Sequence, residues 1–286
     1  MQARLLQTGH LDGSTNMAID EMLLVNSRHL LETRYQAILR LYGWVKPTLS
    51  LGYFQSPSFD IDWLKGNKGE KDFSFEIVRR LTGGGTVLHD VEITYSFIIL
   101  EDNCLIPEKI TESYRVICQG IIKGLDKLGI KAGFFDIKDN PGSGYYSSRA
   151  DFCFAKHSKY DVLVDRKKLV GSAQRRKKGI ILQHGSIILG IDQQKNLYLL
   201  KKGINCFQEA VSLKEILGYS ISFEEVSQVL IEGFKLALGI SFESGELTSQ
   251  ELKLAESLKT EKYTQDSWSN RLGKKYEKNI SELKER

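Results

Sequence analysis

The chain has 286 residues, 41% hydrophobic and 27% charged, with only four prolines, an ordinary globular composition with enough chain for one large domain or two modest ones. A formal net charge of +4 favours acidic partners but is too small to argue for nucleic-acid binding. The cysteines, Cys104, Cys118, Cys153 and Cys206, show neither CxxC nor paired spacing, which argues against a zinc or disulfide framework. The N-terminal MQARLLQTGHLDG lacks the apolar core of a secretory signal, and the longest apolar run, ITYSFIIL, is too short to cross a bilayer. The expected setting is therefore cytoplasmic and reducing, with no membrane and no nucleic acid as partner.

Along the chain, Asn16–Leu31 carries apolar residues at helical spacing, with N-cap candidates in Ser14, Thr15 and Asn16. Short strands follow at Ala37–Trp44, Pro47–Tyr53, Phe73–Val78 and Ile93–Leu100, then a helix over Glu108–Leu128. Asn140–Arg149 (NPGSGYYSSR) is a loop. Strands are expected at Tyr160–Val164, Lys168–Ala173 and Ile180–Leu189, and helices at Ser222–Leu238 and Thr248–Tyr263. The lysine- and glutamate-rich tail after about Ser267 reads as a dispensable surface helix. This order predicts an α+β fold: mixed, mainly antiparallel sheets flanked by helices.

Two stretches carry chemistry. Arg79–Asp90 reads RRLTGGGTVLHD. It lacks the following helix of a dinucleotide loop and the GK[ST] of a P-loop. A wide hairpin turn is the bland reading. Against it, two glycines suffice for a tight turn, and Arg79, Arg80, His89 and Asp90 put charge on both shoulders. The other reading is a loop where a ligand approaches main-chain N–H groups.

Asp151–Leu189 holds Cys153 at the end of a loop, near Arg149, Lys156 and Lys168. A thiolate is the nucleophile; with an unperturbed pKa, about 3% is ionised at pH 7, and about 24% once a neighbouring cation lowers it one unit. Buried inert thiols are the commoner case. KLVGSAQ places Gly171, Ser172 and Ala173 in a strand, where small residues leave either a groove or an edge under a helix. Arg175–Lys178 (RRKK) is either a solvated turn or a docking point for an acidic protein. His184 reads as a hydrogen-bonded interior histidine.

Taken together, RRLTGGGTVLHD and KLVGSAQ resemble the signature of the lipoate–protein ligase and octanoyltransferase superfamily, whose members share a catalytic domain with biotin–protein ligases. NMAIDEMLL, PTLSLGYFQ and KYTQDSW fit as well, so the resemblance spans most of the chain. It implies a biotin/lipoate–protein ligase-like fold in a single catalytic domain, 1–286, with an acyltransferase core at about 33–248 and C-terminal helices at about 249–286. The interval between Cys153 and KLVGSAQ is similar to that of the cysteine-dependent, Gram-positive octanoyl-acyl-carrier-protein:protein octanoyltransferases. That implies Cys153 as nucleophile and Lys168, rather than Lys167, as the cation beside it. Arg80, Gly84, Gly85, His89, Gly171, Ser172 and Ala173 are implied as the acyl-site wall. Octanoyl-acyl carrier protein is the implied donor, and a lipoyl-domain protein such as glycine cleavage H protein the acceptor. The resemblance implies no cofactor or metal and a monomeric enzyme. The rivals are an ATP-dependent lipoate ligase, an octanoyl amidotransferase between lipoyl-domain proteins, and a non-catalytic binder.

Overall fold

The computed structural model describes residues 2–55, 74–135, 154, 161–201 and 204–269. The sequence reading assigns no element to Gln2–Leu11, yet these residues form β1. Asp12 then caps helix α1 (Gly13–Asn26), its carboxylate accepting from Thr15 N at 2.8 Å and Thr15 Oγ1 at 2.6 Å. The start thus lies upstream of the expected caps, and a break at Ser27 separates α1 from α2 (Arg28–Thr33). Strands β2 (Ala37–Trp44), β3 (Thr48–Leu51), β4 (Glu76–Arg79), β5 (Val87–His89) and β6 (Glu92–Leu100) follow. Helix α3 (Ile110–Lys127) leads to β7 (Gly133–Phe134), β8 (Val162–Val164), β9 (Lys167–Lys177) and β10 (Ile180–Ile188). The remainder comprises α4 (Gln193–Lys201), α5 (Leu213–Leu217), α6 (Phe223–Leu238), β11 (Ser241–Gly245), α7 (Ser249–Leu258), a π-helical turn at Lys259–Tyr263, and α8 (Asp266–Ser269).

An eight-stranded sheet runs β11-β1-β2-β6-β10-β9-β8-β7, and a three-stranded one β4-β3-β5. Among the described strands only β1–β2, β1–β11 and β3–β4 are parallel, so the α+β reading with mainly antiparallel pairing holds. The large sheet is covered on both faces, which is why its central strands read as continuous apolar runs rather than alternating ones. In β2 the alternation is still visible: Ala37, Leu39 and Leu41 face α3 and α6, while Ile38 joins the cluster under α1 and α7. On the first face Ile117 and Ile121 of α3 and Leu230 and Phe234 of α6 pack over Phe97 and Ile99.

One expectation about a turn changes. The glycine triplet is not a hairpin, because β4 and β5 lie on opposite sides of β3 and do not pair with each other. In KLVGSAQ the pairing of β9 with β8 ends at Val170, and from Gly171 onward β9 is paired with β10 and covered by Tyr114 of α3.

Candidate active site

The small sheet and glycine triplet meet the middle of the large sheet around a pocket. Ser50, Arg80, Gly83, Gly84 and His89 line it from the small-sheet side. Gly171, Ser172, Ala173, His184 and Gly185 come from β9 and β10, and Met17, Tyr42 and Trp44 from α1 and β2.

Arg80 shapes the triplet. Its buried guanidinium donates to Ser50 O at 2.7 Å, Gly83 O at 2.8 Å and Gly85 O at 2.7 Å. In a planar trans peptide, C=O and N–H point in opposite directions. With those carbonyls turned onto Arg80, the N–H groups of Gly84 and Thr86 are turned away from it. Gly84 has φ +97°, and a Cβ added at Gly52 would sit 1.9 Å from Gly84 O. Both glycines are therefore demanded, one by backbone conformation and one by close approach.

Arg79, the preceding residue, turns the other way and is fully buried. It donates to Gly52 O at 2.8 Å, Gln55 O at 2.5 Å, Trp268 O at 3.1 Å and Ser269 O at 3.0 Å, and Trp268 Nε1 donates back to Arg79 O at 2.9 Å. The segment after Ser267 is thus no spare surface helix at its start: Trp268 and Ser269 hold Arg79 at the end of β4, and Arg79 holds Gly52 O.

Two histidines stand in hydrogen-bonded chains. In the first, His89 Nε2 meets Ser50 Oγ at 2.7 Å and His89 Nδ1 meets Glu92 Oε1 at 2.8 Å, with the ring stacked on Trp44 at 4.0 Å. Glu92 also accepts from Trp44 Nε1 at 3.1 Å, Thr94 Oγ1 at 2.5 Å and Ser186 Oγ. In the second, His184 Nε2 meets Thr82 Oγ1 at 2.6 Å and Nδ1 meets Asp20 Oδ2 at 3.0 Å, the interior hydrogen-bonded role expected of His184. Burial would raise the Asp20 carboxyl, but the bond to His184 and the charge of Arg40, 2.8 Å away, outweigh it and hold the group below the usual carboxylate range. Burial pushes His184 below the usual imidazole value, partly offset by Asp20.

The β9 wall is held by tyrosines. Tyr95 OH donates to Ser172 Oγ and Tyr114 OH to Ser172 O, both at 2.8 Å. Burial keeps both phenols far above their ordinary pKa, so they remain donors. A Cβ at Gly185 would lie 2.3 Å from Ser172 Oγ, so β10 must be bare where it meets this serine.

Lys168 lies behind that wall. Only 1% exposed, it pairs with Asp161 Oδ2 at 2.7 Å and sits 5.3 Å from the centroid of the Phe154 ring. A Cβ at Gly171 would approach Lys168 Cε to 3.1 Å and Phe154 Cζ to 3.2 Å, so the missing side chain makes room for both. Cys153 and the NPGSGYYSSR loop lie outside the described residues. Of the other thiols, burial drives Cys118 and Cys206 up to about 12, which keeps them protonated, and Cys104 is exposed.

The pocket thus brings together Arg80, Gly84, His89, Gly171, Ser172 and Ala173. Gly85 joins it through Arg80, and Lys168 stands one layer back. RRKK is corrected. Arg175–Lys177 belong to β9 and are engaged internally: Arg175 over Tyr53 at 4.5 Å, Arg176 on Glu108 O at 2.8 Å, and Lys177 on Glu21 at 3.5 Å. They are half-buried strand residues rather than a turn, and Lys178, which is exposed, stands in the turn to β10. Asp20, Glu92, Ser50, Tyr95 and Tyr114 are not singled out by the sequence reading. Arg40 inside the apolar AILRLYGW is the one signal that could have led to Asp20, since a charge in a buried strand requires a counter-ion.

Residues 12–235 match the lipoyl protein ligase A/B catalytic domain. The chain belongs to that family. A relative from Kyrpidia tusciae named octanoyltransferase LipM is 41% identical over 94% of this chain and 98% of its own length. The Bacillus subtilis octanoyltransferase LipM is 36% identical over 93% of this chain and 97% of its own. Among solved structures, a putative lipoate protein ligase from T. acidophilum with bound lipoic acid superposes with TM-score 0.73 at 25% identity, covering 95% of this chain and 100% of that one. A lipoate-protein ligase A bound with ATP gives TM-score 0.72 at 25% identity, covering 94% and 99%. Membership in the lipoyl protein ligase A/B family accounts for the mixed sheets with flanking helices seen here. No helix among the described residues is long and apolar enough to cross a membrane.

Proposed function

We propose that this chain transfers an octanoyl group from octanoyl-acyl carrier protein to a specific lysine of a lipoyl-domain protein, such as glycine cleavage H protein, through an S-octanoyl intermediate on Cys153. The enzyme is an octanoyltransferase of lipoate biosynthesis, as its relatives over nearly the full chain are named. In the first half-reaction the Cys153 thiolate attacks the donor thioester, and the carrier thiolate leaves. One thioester replaces another, so no ATP is needed. In the second, the acceptor amine attacks and an amide forms, which drives transfer forward. Burying seven acyl carbons in the pocket contributes roughly 5–6 kcal/mol at about 0.8 kcal/mol per CH₂.

The observation that carries this reading is Lys168. Phe154, next to Cys153 in sequence, lies beside Lys168, and both abut Gly171 behind the pocket wall that Ser172 and Ala173 complete. Asp161 fixes the ammonium in place. Intact mass measured after mixing with octanoyl-acyl carrier protein tests the reading. An octanoyl increment is expected, absent in Cys153→Ala, and slow to form in Lys168→Ala at neutral pH with recovery as pH rises. An adduct that persists without the sulfur sinks it. The solved neighbours titled as lipoate ligases favour one second reading, an ATP-dependent ligase. That enzyme would survive Cys153→Ala and require ATP and magnesium.

A further inference from the structure

Three strand pairings place four pocket-lining residues on one line across the large sheet. Gly171 of β9 is paired with Ser186 of β10, Ser186 with Thr94 of β6, and Thr94 with Tyr42 of β2. Residues directly opposite one another share a face of the sheet. Side chains grow along this line, from a hydrogen through two small hydroxylated groups to a phenol ring. Resting on the octanoyl-transfer reading above, we infer that the line measures the acyl chain and that Met17 is its adjustable stop. The open end lies at β9 and the glycine triplet, where Gly84 is exposed and Ala173 half-buried. The other end is shut: Met17, Tyr42 and Trp44 are each no more than 5% exposed. A thioester carried on a protein therefore stays at the β9 end, and the alkyl terminus points to β2.

The dimensions match. Three strand spacings of about 4.8 Å make the line about 14 Å long. Carbon–carbon contact at Tyr42 takes about 4 Å of it. An extended octanoyl chain, a zigzag of seven bonds of about 1.5 Å, spans about 9 Å and fills what is left. The floor also suits hydrocarbon. Ser186 Oγ and Thr94 Oγ1 both donate to Glu92, and Thr94 Oγ1 accepts from Trp44 Nε1, so these hydroxyls are already engaged. At the shut end two of the three side chains are locked. Tyr42 OH donates to Asp20 at 2.9 Å, and its ring centroid lies 3.8 Å from the Arg40 guanidinium. Trp44 is fixed through Nε1 and by its stack on His89. Met17 of α1 packs in one cluster with both. Its thioether is unbranched, turns about three bonds and is held by packing, so of the three it is the one that yields to the end of a substrate.

The test offers the wild-type chain, Met17→Ala and Met17→Phe an equimolar mixture of acyl carrier protein thioesters with four, six, eight, ten and twelve carbons. Intact mass then reads the proportions of the acyl-enzymes formed. All donors compete for one enzyme sample, so a partly unfolded variant changes the yield and not the ratios. In the wild-type chain each step of two carbons up to eight is expected to raise the proportion about fifteenfold, at about fourfold per buried CH₂, with a fall beyond eight. Met17→Ala should move the maximum to ten or twelve carbons, and Met17→Phe to six or four. A maximum that stays at eight carbons in both variants, or a wild-type profile with no fall past eight, overturns the role of Met17 while leaving the acyl-enzyme intact. Failure of the wild-type chain to form an acyl-enzyme with any donor overturns the reading beneath it as well, so the two failures are distinguishable.

Discussion

Two hydroxyl–histidine–carboxylate chains flank one pocket, and they are built alike: a carboxylate on Nδ1 and a hydroxyl on Nε2. Their surroundings differ. Asp20 is fully buried and answers to Arg40, Tyr42 and Ser96 as well as His184, and the chain finishes on Thr82 inside the glycine loop. Glu92 is met by the His89 ring and by the neutral donors of Trp44 and Thr94, and its chain finishes on Ser50, which lines the pocket. The same geometry therefore serves two ends. Where a permanent cation balances the carboxylate, the unit is a rivet joining α1, the sheet and the loop. Where the carboxylate meets the imidazole and neutral donors, the unit joins the small sheet to the large one at the pocket.

The comparison can be broken at several points. Asp20→Ala should destabilise most, by about 3–5 kcal/mol in chemical denaturation, because it strands Arg40 as a buried charge without its counter-ion. If the loss were below about 1 kcal/mol, the rivet would be no more than decoration. Thr82→Val should follow, at about 1–3 kcal/mol, since it leaves the buried His184 Nε2 unsatisfied. It should loosen the glycine loop, seen as faster amide exchange at Gly83–Gly85. Trp268→Ala removes the indole bond to Arg79 O and its ring contacts with Tyr53 and Tyr263. A loss of about 1–3 kcal/mol is expected in chemical denaturation.

The pH dependence is smaller and sharpens the contrast. His184 has a folded pKa below the unfolded value of about 6.5. Below that pH the unfolded chain binds more protons than the folded one. The stability from neutral His184 is therefore present above about pH 6.5 and lost as pH falls through the folded pKa. His184→Gln should flatten that acid limb in a denaturation series. Least of all, Arg28→Ala at the exposed pair with Glu32 should change stability by less than about 0.5 kcal/mol. It serves as the surface control.

Much of this molecule could be read from its residues. β2, β6, β10 and α6 carry apolar runs or periodicity strong enough to place them within a few residues. The glycine motif and KLVGSAQ were legible because few backbones need such small residues together. What stayed hidden depends on partners distant in sequence. β1 shows little period because it pairs on both sides with parallel strands and is exposed toward one end. Asp20 and Glu92 look like ordinary surface carboxylates until His184 and Ser186, more than ninety positions away, are folded onto them. RRKK looked like a solvated turn because charge density is read locally. Arg175, Arg176 and Lys177 find their partners on Tyr53, Glu108 and Glu21, none of them neighbours in the chain.

The bond between Arg79 and the Trp268–Ser269 turn sets an order of events during synthesis. A nascent chain lays down the glycine triplet early and emerges progressively from the ribosome. Arg79, which holds Gly52 O, acquires the Trp268 and Ser269 carbonyls as acceptors only when residues 268 and 269 have been synthesised. Until that point the end of β4, beside the glycine triplet, lacks those two bonds.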